Sequence, residues 1–501
     1  MISLKKMTAA GLLCAAAVSA NADAVSFRYD DNQSVEIWQT LADVFRKHDA
    51  RFGLSLIPCS FGADNAEWRK LICQLESEGF EIYDHTPQHN TLSMRLPEDS
   101  PLLKELANAP FVDHINGNKV CLKYDLGSST VIKTVKIDIR NKNEIVCKTP
   151  GATINHRAML DFNGKQYYAV QNKDKLQICS IWGENNIEMP DTNDVEVKVL
   201  KHAFRPYPGA VDFLVKQSQA GFRKIGLKKM PTVWIQPGGL YPHYETEGLG
   251  EVLLKHGYVS ASTASFKSAK GFNDPDWERS AFAMRWGDFN LGNLNLQLSK
   301  YKIARVTACH RVAIGSSHVT PARRGKLKEY AALHDELLVW LKKNNIKVMT
   351  QSELALYLRD HKIDADKNIM PAFSRDIDGD GRPDGYDLAR KTSFSNGAFN
   401  LGHMGNLLSI SKLCGLPQGK VKFIADWEGT FAGQIKFIFI GSKGRVLGQQ
   451  IIPVEFSKSK GVKSESVFDI PKGTVALQFI ISSNNAKSKA VLKNLDLRAA
   501  K

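Results

Sequence analysis

Residues Gly79–His89 read GFEIYDHTPQH, and this stretch decides most of the architecture. Phe80 to Tyr83 is a short apolar and aromatic run that reads as a strand, and it passes straight into Asp84 and His85. His85 and His89 are four apart; in a helical turn they project to one side, close enough to share one cation. Pro87 between them suits the first turn of such a helix. Strands of parallel α/β folds bring their functional residues together at their carboxyl-terminal ends, which is where these histidines fall.

Working outward, the same alternation repeats. Ala24–Tyr29 (AVSFRY) reads as a strand ending at Asp30-Asp31-Asn32, a turn composition. Val35–His48 has helical spacing, Leu54–Pro58 is strand-like, and Trp68–Glu78 is again helical. Later come a helix over Val211–Ile225, a strand Thr232–Gln236 entering Pro237-Gly238-Gly239, and a helix Leu249–His256 before Gly257-Tyr258. Ile303–Cys309 reads as a strand ending at His310, and the long amphipathic helix Lys326–Asn344 follows. Ile346–Met349 and the helix Ser352–Leu358 close the unit near Asp360. Strands alternating with helices of this length predict a parallel α/β sheet or barrel.

Three stretches stand outside this alternation. Residues 97–204 carry short β-type runs such as Val131–Ile139 and Val195–Leu200, separated by Gly, Asn and Asp turns, and read as an inserted β-domain. Residues 361–387 form a linker in which Asp376, Asp378, Asp380, Asp384 and Asp387 take positions 1, 3, 5, 9 and 12 of an EF-hand-like loop, with Gly381 at position 6. Carboxylates at that spacing wrap Ca2+, and the glycine permits the sharp turn. Residues 388–501 are strand-rich with little helix (Val421–Ala425, Ile435–Ile440, Val475–Ile481), which predicts a β-sandwich.

The chain has 501 residues, enough for about two to four domains. Residues 1–22 read as a secretory signal peptide: Lys5 and Lys6, an apolar run Ala9–Val18, then Ala20-Asn21-Ala22 as a small-x-small cleavage pattern. Leu13 before Cys14 speaks against a lipoprotein anchor. The expectation is a secreted or periplasmic protein with no integral membrane segment, since no later run approaches the ~20 apolar residues of a spanning helix. Losing Lys5 and Lys6 takes the net charge from +15 to +13, and a basic exported surface suits acidic polymers or anionic cell surfaces. No zinc-finger, RNP-type or helix-turn-helix pattern points to nucleic acid. Seven cysteines remain after cleavage, an odd number, so at least one thiol stays unpaired within the chain. Cys121, Cys147 and Cys179 cluster closely enough for one bridge, although spacing fixes no pairing.

The order strand–DD, strand–HxxxH, strand–PGG…GY, strand–H and closing helix resembles the polysaccharide deacetylase (NodB-homology) family, carbohydrate esterase family 4. The likeness covers about Ala24–Leu96 and Tyr207–Asp360. Arg28-Tyr29-Asp30-Asp31 stands where the family has TFDD, which implies Asp30 as general base and Asp31 as a metal ligand. His85-Thr86-Pro87-Gln88-His89 matches the family's H-[ST]-x-x-H in full and makes both histidines ligands of Zn2+ or another divalent transition metal. Thr307-Ala308-Cys309-His310 resembles the motif that ends in the general acid, so His310 takes that role. A backbone N–H near Gly238 and Gly239 is expected to hold the oxyanion. Gln236 stands where the family carries the arginine that orients its catalytic aspartate, and the fourth motif has no clear counterpart, Trp277 and Trp286 being the nearest. Phe204-Arg205-Pro206-Tyr207 looks like the arginine motif but precedes the strand that should bear it.

The fold expected is therefore a (β/α) barrel-like deacetylase domain, residues 23–96 and 205–360, interrupted by the β-rich insertion and followed by the C-terminal β-sandwich. The linker resembles calcium-binding linkers that precede β-sandwich modules in exported bacterial proteins, some of which bind carbohydrate. The function implied is hydrolysis of N- or O-acetyl groups on a polysaccharide. Two alternatives stay open: a catalytically inactive glycan-binding member, and a metal amidase acting on a non-sugar amide.

Overall fold

The computed structural model describes residues 23–89 (except 61–62), the strand segments between 93 and 206, residues 210–235, 237, 252–253, 255–258, 260–261, 288–360 (except 311) and 367–500 (except 390, 403–404, 415, 418 and 442–445). By backbone contact it falls into two compact units.

The first unit contains the α/β sheet. Its strands are β1 (Ala24–Asp30), β2 (Gly53–Leu56), β3 (Glu81–Asp84), β4 (Val233–Trp234), β5 (Ser260–Ala261), β6 (Asp288–Asn290), β7 (Val312–Ser317) and β8 (Lys347–Val348). They run in the order β5-β4-β3-β2-β1-β7-β6, with β8 against the start of β1, and every pairing is parallel. Among the described residues this is an open half-barrel rather than a closed ring.

Its helices are α1 (Val35–Lys47), α2 (Ala66–Ser77), α3 (Ala210–Ile225, in this unit from Val215 on), α4 (Leu296–His310), α5 (Thr320–Arg323), α6 (Leu327–Lys343) and α7 (Gln351–Asp360). Side chains alternate along β1: Val25, Phe27 and Tyr29 join the core with Trp38 and Phe45 of α1 and Leu337 of α6. The Phe27 and Phe45 rings meet edge to face at 5.2 Å, and Phe45 and Phe52 at 4.9 Å. Each such buried ring contributes roughly 1.5–3 kcal/mol from burial alone. Ser26, Arg28 and Asp30 therefore point to the opposite, inner face, and all three are buried. On that face Tyr83 lies over Gly53, where a Cβ would run into its ring, and its hydroxyl accepts from Gln351 N at 2.8 Å.

One expected strand is a helix. Ile303–Cys309 belongs to α4: Ser299, Ile303, Ala304, Thr307 and Cys309 are buried along it, and Ser299, Ile303 and Thr307 follow helical rather than alternating spacing. The strand that pairs with β1 is β7, whose Gly315-Ser316-Ser317 tail reads as a loop in sequence.

The same unit holds the C-terminal strands β9 (Asp387–Leu388), β10 (Thr392–Ser395), β11 (Ala398–Gly402), β12 (Gly405–Cys414), β13 (Gly419–Gly441), β14 (Val446–Ile470), β15 (Thr474–Ser483) and β16 (Lys489–Ala499). The long β13 pairs with β16 over Val421–Thr430 and with β15 over Gly433–Gly441. It bends between them at Gly429, whose φ of 101° and closeness to the Lys489 carbonyl exclude a side chain. The two halves face each other across one core, where Phe423 of the first meets Phe437 and Phe479 of the second at 5.0 and 6.1 Å.

Residues 367–387 are packed rather than loose. Arg375 pairs with Asp23 at 2.6 Å and donates to Thr307 Oγ1 at 2.8 Å, Trp340 Nε1 donates to the Ile377 carbonyl at 3.2 Å, and Ile369 N donates to the Leu497 carbonyl at 3.0 Å.

The second unit comprises Asn90–Leu214 with Leu240–Thr246, and residues 97–204 fall within it. Thr130–Arg140, Glu144–Cys147, Ala158–Phe162, Lys165–Asn172, Lys175–Cys179 and Thr192–Lys201 close into a six-stranded antiparallel barrel. Phe204–Pro206 pairs with Lys123–Asp125, so Arg205 sits on a strand of this unit and not on the parallel sheet. Cys59, Cys73, Cys147 and Cys309 are free thiols. No described helix is long and apolar enough to cross a membrane.

Candidate metal centre

Parallel pairing puts the ends of β1, β3, β4 and β7 on one rim: Asp30 lies level with Ser55, Leu56 with Asp84, Asp84 with Trp234, and Tyr29 with Ser317. Asp30 closes β1, and Asp31 turns the chain with φ 69°. Asn32 staples that turn to the next strand, donating to Ile57 O at 3.1 Å and accepting from Ile57 N at 3.0 Å. Ser34 then caps α1 by accepting from Ile37 N at 3.3 Å.

The His85–His89 segment is not a helical turn. Thr86 and His89 both take left-handed backbone (φ 66° and 57°), and Pro87 sits in a tight turn whose carbonyl accepts from Cys59 N at 2.9 Å. The segment is anchored from beneath by Asp84, fully buried, which accepts from Thr86 N (2.9 Å), Ser218 Oγ (2.8 Å) and Tyr258 Oη (2.5 Å). Burial drives the Asp84 carboxyl up to about 6 against the pull of these donors.

The loop still delivers both imidazoles to one oxygen. Asp31 Oδ1 lies 3.6 Å from His85 Nε2 and 3.3 Å from His89 Nε2, and the rings are 4.8 Å apart. A tetrahedral cation about 2.1 Å from each ligand leaves ligand atoms about 3.4 Å apart, which these separations match. His85 Nδ1 is 2.9 Å from the Ile235 carbonyl, so it carries the proton and Nε2 keeps its lone pair for a cation. His85 Nε2 and Asp31 Oδ1 are buried without a hydrogen-bond partner, which is costly unless a cation satisfies them. Burial opposes ionisation of Asp31, yet the two imidazoles hold its carboxyl well below the usual range. The donor set, two imidazoles and one carboxylate, fits a divalent transition metal with a position left open.

Asp30 has a different environment. Arg28, two residues earlier on the same face of β1, donates from Nε to Oδ1 at 2.9 Å and from Nη2 to Oδ2 at 3.4 Å. Burial raises the Asp30 carboxyl and the Arg28 charge and hydrogen bond lower it, with the net effect downward. An arginine thus reaches this aspartate from within its own strand, while Gln236, Gly238 and Gly239 lie outside the described residues, as do Trp277 and Trp286.

The histidine beside Asp30 is His318, not His310. Val312 pairs with Ala24, so His310, the last residue of α4, precedes β7 at the opposite end of the sheet, about 20 Å along the strands from Asp30. His318 follows Ser317 at the rim, is exposed, and favours the ionised form of Asp30. Its signal in the sequence was a histidine after a short apolar run, hidden because Gly315-Ser316-Ser317 does not look like strand.

In the linker the structure brings together Asp376, Asp378 and Asp384, with carboxylate oxygens within 4.8 Å of one another. Asp376 accepts from Gly379 N, Asp380 N and Gly381 N at 2.9–3.1 Å, which winds the loop. Asp380 and Asp387 are not in that group: Asp380 accepts from Arg382 N at 2.8 Å, and Asp387 pairs with Arg305 at 2.7 Å. Burial pushes Asp384 up to about 7, with Asp378 and Asp376 adding to the rise, against the pull of the Ile377 N–H and of Arg375, 3.2 Å away.

No family model and no curated protein matches this chain in sequence. Among solved structures, a peptidoglycan N-acetylglucosamine deacetylase aligns over 67% of this chain and 89% of its own, at 10% identity and TM-score 0.31. The peptidoglycan deacetylase PdaC of Bacillus subtilis aligns over 68% and 94%, at 10% identity and TM-score 0.29. An endo-1,4-beta-D-xylanase of Clostridium thermocellum shares 23% of this chain at 12% identity and TM-score 0.20, and only 26% of that protein is spanned. These likenesses are distant, and the chemistry here is carried by the residues themselves.

Proposed function

We propose that this chain is a metal-dependent hydrolase that removes N- or O-linked acetyl groups from an extracellular or cell-envelope polysaccharide. The observation that carries this reading is the convergence of Asp31, His85 and His89 beside a second carboxylate, Asp30, that metal binding alone does not need. Zn2+ or another divalent transition metal held there supplies a Lewis acid for the acetyl carbonyl and lowers the pKa of water. Arg28 keeps Asp30 ionised and oriented, leaving lone pairs free to accept the proton of an attacking water. His318 donates a proton to the departing amine or alcohol. Backbone N–H groups near Gly238 and Gly239 hold the developing oxyanion. The arginine-held Asp30 argues for an enzyme over an inactive glycan binder.

The assignment extends to the rest of the chain. Residues 1–22 direct export, and the basic charge favours an acidic polysaccharide or an anionic cell surface. Asp376, Asp378 and Asp384 hold Ca2+, with Asp387 reserved for Arg305. The C-terminal strands expose Val446, Leu447, Ile451 and Val467, and Phe394 and Phe456 are partly buried there.

The test is acetate release from a panel of acetylated glycans and small N-acetyl amides, with Zn2+ or Co2+ added. Release from glycans that vanishes on chelation is expected. Release from the amides alone supports the non-sugar amidase, and none from any substrate supports the inactive binder.

A further inference from the structure

We infer that Gln33 and Arg323 form a positioning clamp that makes Asp31 a one-oxygen ligand and thereby sets how tightly the divalent cation is held. The inference rests on the metal reading of Asp31, His85 and His89.

Asp31 needs support because a non-glycine residue at φ 69° persists only where its surroundings over-determine it. The buried Gln33 side chain supplies that support, with Nε2 donating to the Asp30 carbonyl at 2.9 Å and the Asp31 carbonyl at 3.2 Å. Gln33 is locked in turn, since its Oε1 accepts from Arg323 Nε at 2.7 Å. The same guanidinium reaches Asp31 Oδ2 through Nη2 at 3.3 Å. Asp31 is thus divided: Oδ1 faces His85 and His89, and Oδ2 is taken by arginine.

Arg323 is delivered by a turn that is itself strained. Val319, β-branched and fully buried, has φ 47°. Its N–H donates to Ser317 Oγ at 2.9 Å, and Tyr330 Oη donates to that same oxygen at 3.0 Å. The segment that carries His318 to the rim therefore also carries Arg323. Two effects of Arg323 oppose each other: its charge repels a cation, and its fork fixes the ligand. The Arg323 side chain is 40% exposed, so its charge is screened and the orienting effect wins.

The experiment is a Co2+ titration of purified protein, read by affinity and by visible absorption. Arg323→Met and Gln33→Met should each weaken Co2+ binding by about 10–100-fold, the usual cost of losing a partner behind a ligand. The Arg323→Met spectrum should also lose intensity as the freed Oδ2 enters the coordination sphere and raises the coordination number. Because the two residues act as one device, the double variant should be within about twofold of the poorer single one. Arg323→Lys should recover only part of the loss, because an ammonium cannot hold Gln33 and Asp31 together. Thermal unfolding checks that each variant is folded; if Gln33→Met is not, Arg323→Met and Arg323→Lys decide. Affinities within about twofold of the parent with an unchanged spectrum, or losses that simply add, overturn the clamp. A parent protein that binds no Co2+, and so matches His85→Ala, overturns the metal reading beneath it.

Discussion

Asp30 and Asp31 are adjacent carboxylates with opposite surroundings, one held by Arg28 and one facing two imidazoles. That contrast allows their roles to be separated by substitution. His85→Ala should lose the transition metal that metal analysis finds in the parent at about one equivalent, and full occupancy in that variant would end the ligand assignment. His318→Ala should keep the metal and lose on the order of 10²–10⁴ in acetate release, while His310→Ala stays near the parent rate. The reverse ranking would restore His310 to the mechanism. Arg28→Met strands a buried carboxylate and should cost about 3–5 kcal/mol of stability, of which Arg28→Met combined with Asp30→Leu recovers most. Equal losses in the single and double variants, by denaturant titration, would show that Arg28 serves something other than Asp30. At this scale the clustering of Asp31, His85 and His89 was legible from the HTPQH and DD spacing. Arg28, Gln33 and Arg323 were not, because their partners are two residues away in strand geometry or about 290 positions distant.

At the scale of elements, the helices with clear 3.6-residue periodicity were legible, and α1, α2, α3 and α6 lie within two residues of expectation. The misreading of α4 as strand has a physical cause. Ile303–Cys309 mixes β-branched residues with alanine, and the competing strand β7 is short and ends in Gly-Ser-Ser. Because His310 followed the misread segment, one error of periodicity put His310 on the rim with Asp30, whereas it lies at the opposite end of the sheet. Helix α6 carries another consequence. His334 is fully buried among Phe27, Tyr29, Phe45 and Tyr330, and burial pushes it down to about 4 although its ring bonds the Tyr330 carbonyl at 2.8 Å. The unfolded histidine takes a proton near pH 6.5, so its neutral burial contributes stability that is complete above that pH and lost as pH falls toward 4. The loss is about 3 kcal/mol at most. Stability measured from pH 7 to 4 should fall less steeply in His334→Phe; an identical slope would remove His334 as its source.

At the scale of the molecule, the parallel α/β sheet and the strand-rich C-terminal region were legible from the change of period along the chain. The long bent β13 was not, since Val421–Ala425 and Ile435–Ile440 read as two strands and only Gly429 and the pairing show one. Residues 367–387 tie the C-terminal strands to the parallel sheet through Arg375 and Trp340. Ca2+ at Asp376, Asp378 and Asp384 should therefore raise the melting temperature, by binding only the folded state. Asp378→Ala should abolish that rise; a rise that survives would place Ca2+ elsewhere. The rim of the sheet is where the whole assignment stands or falls. Acetate release by Co2+-loaded protein, measured beside Asp30→Asn at equal metal occupancy, should be readily detectable in the parent and on the order of 10²–10⁴ lower in the variant. Equal rates in the two proteins, or no release by a parent that holds its metal, would contradict the account.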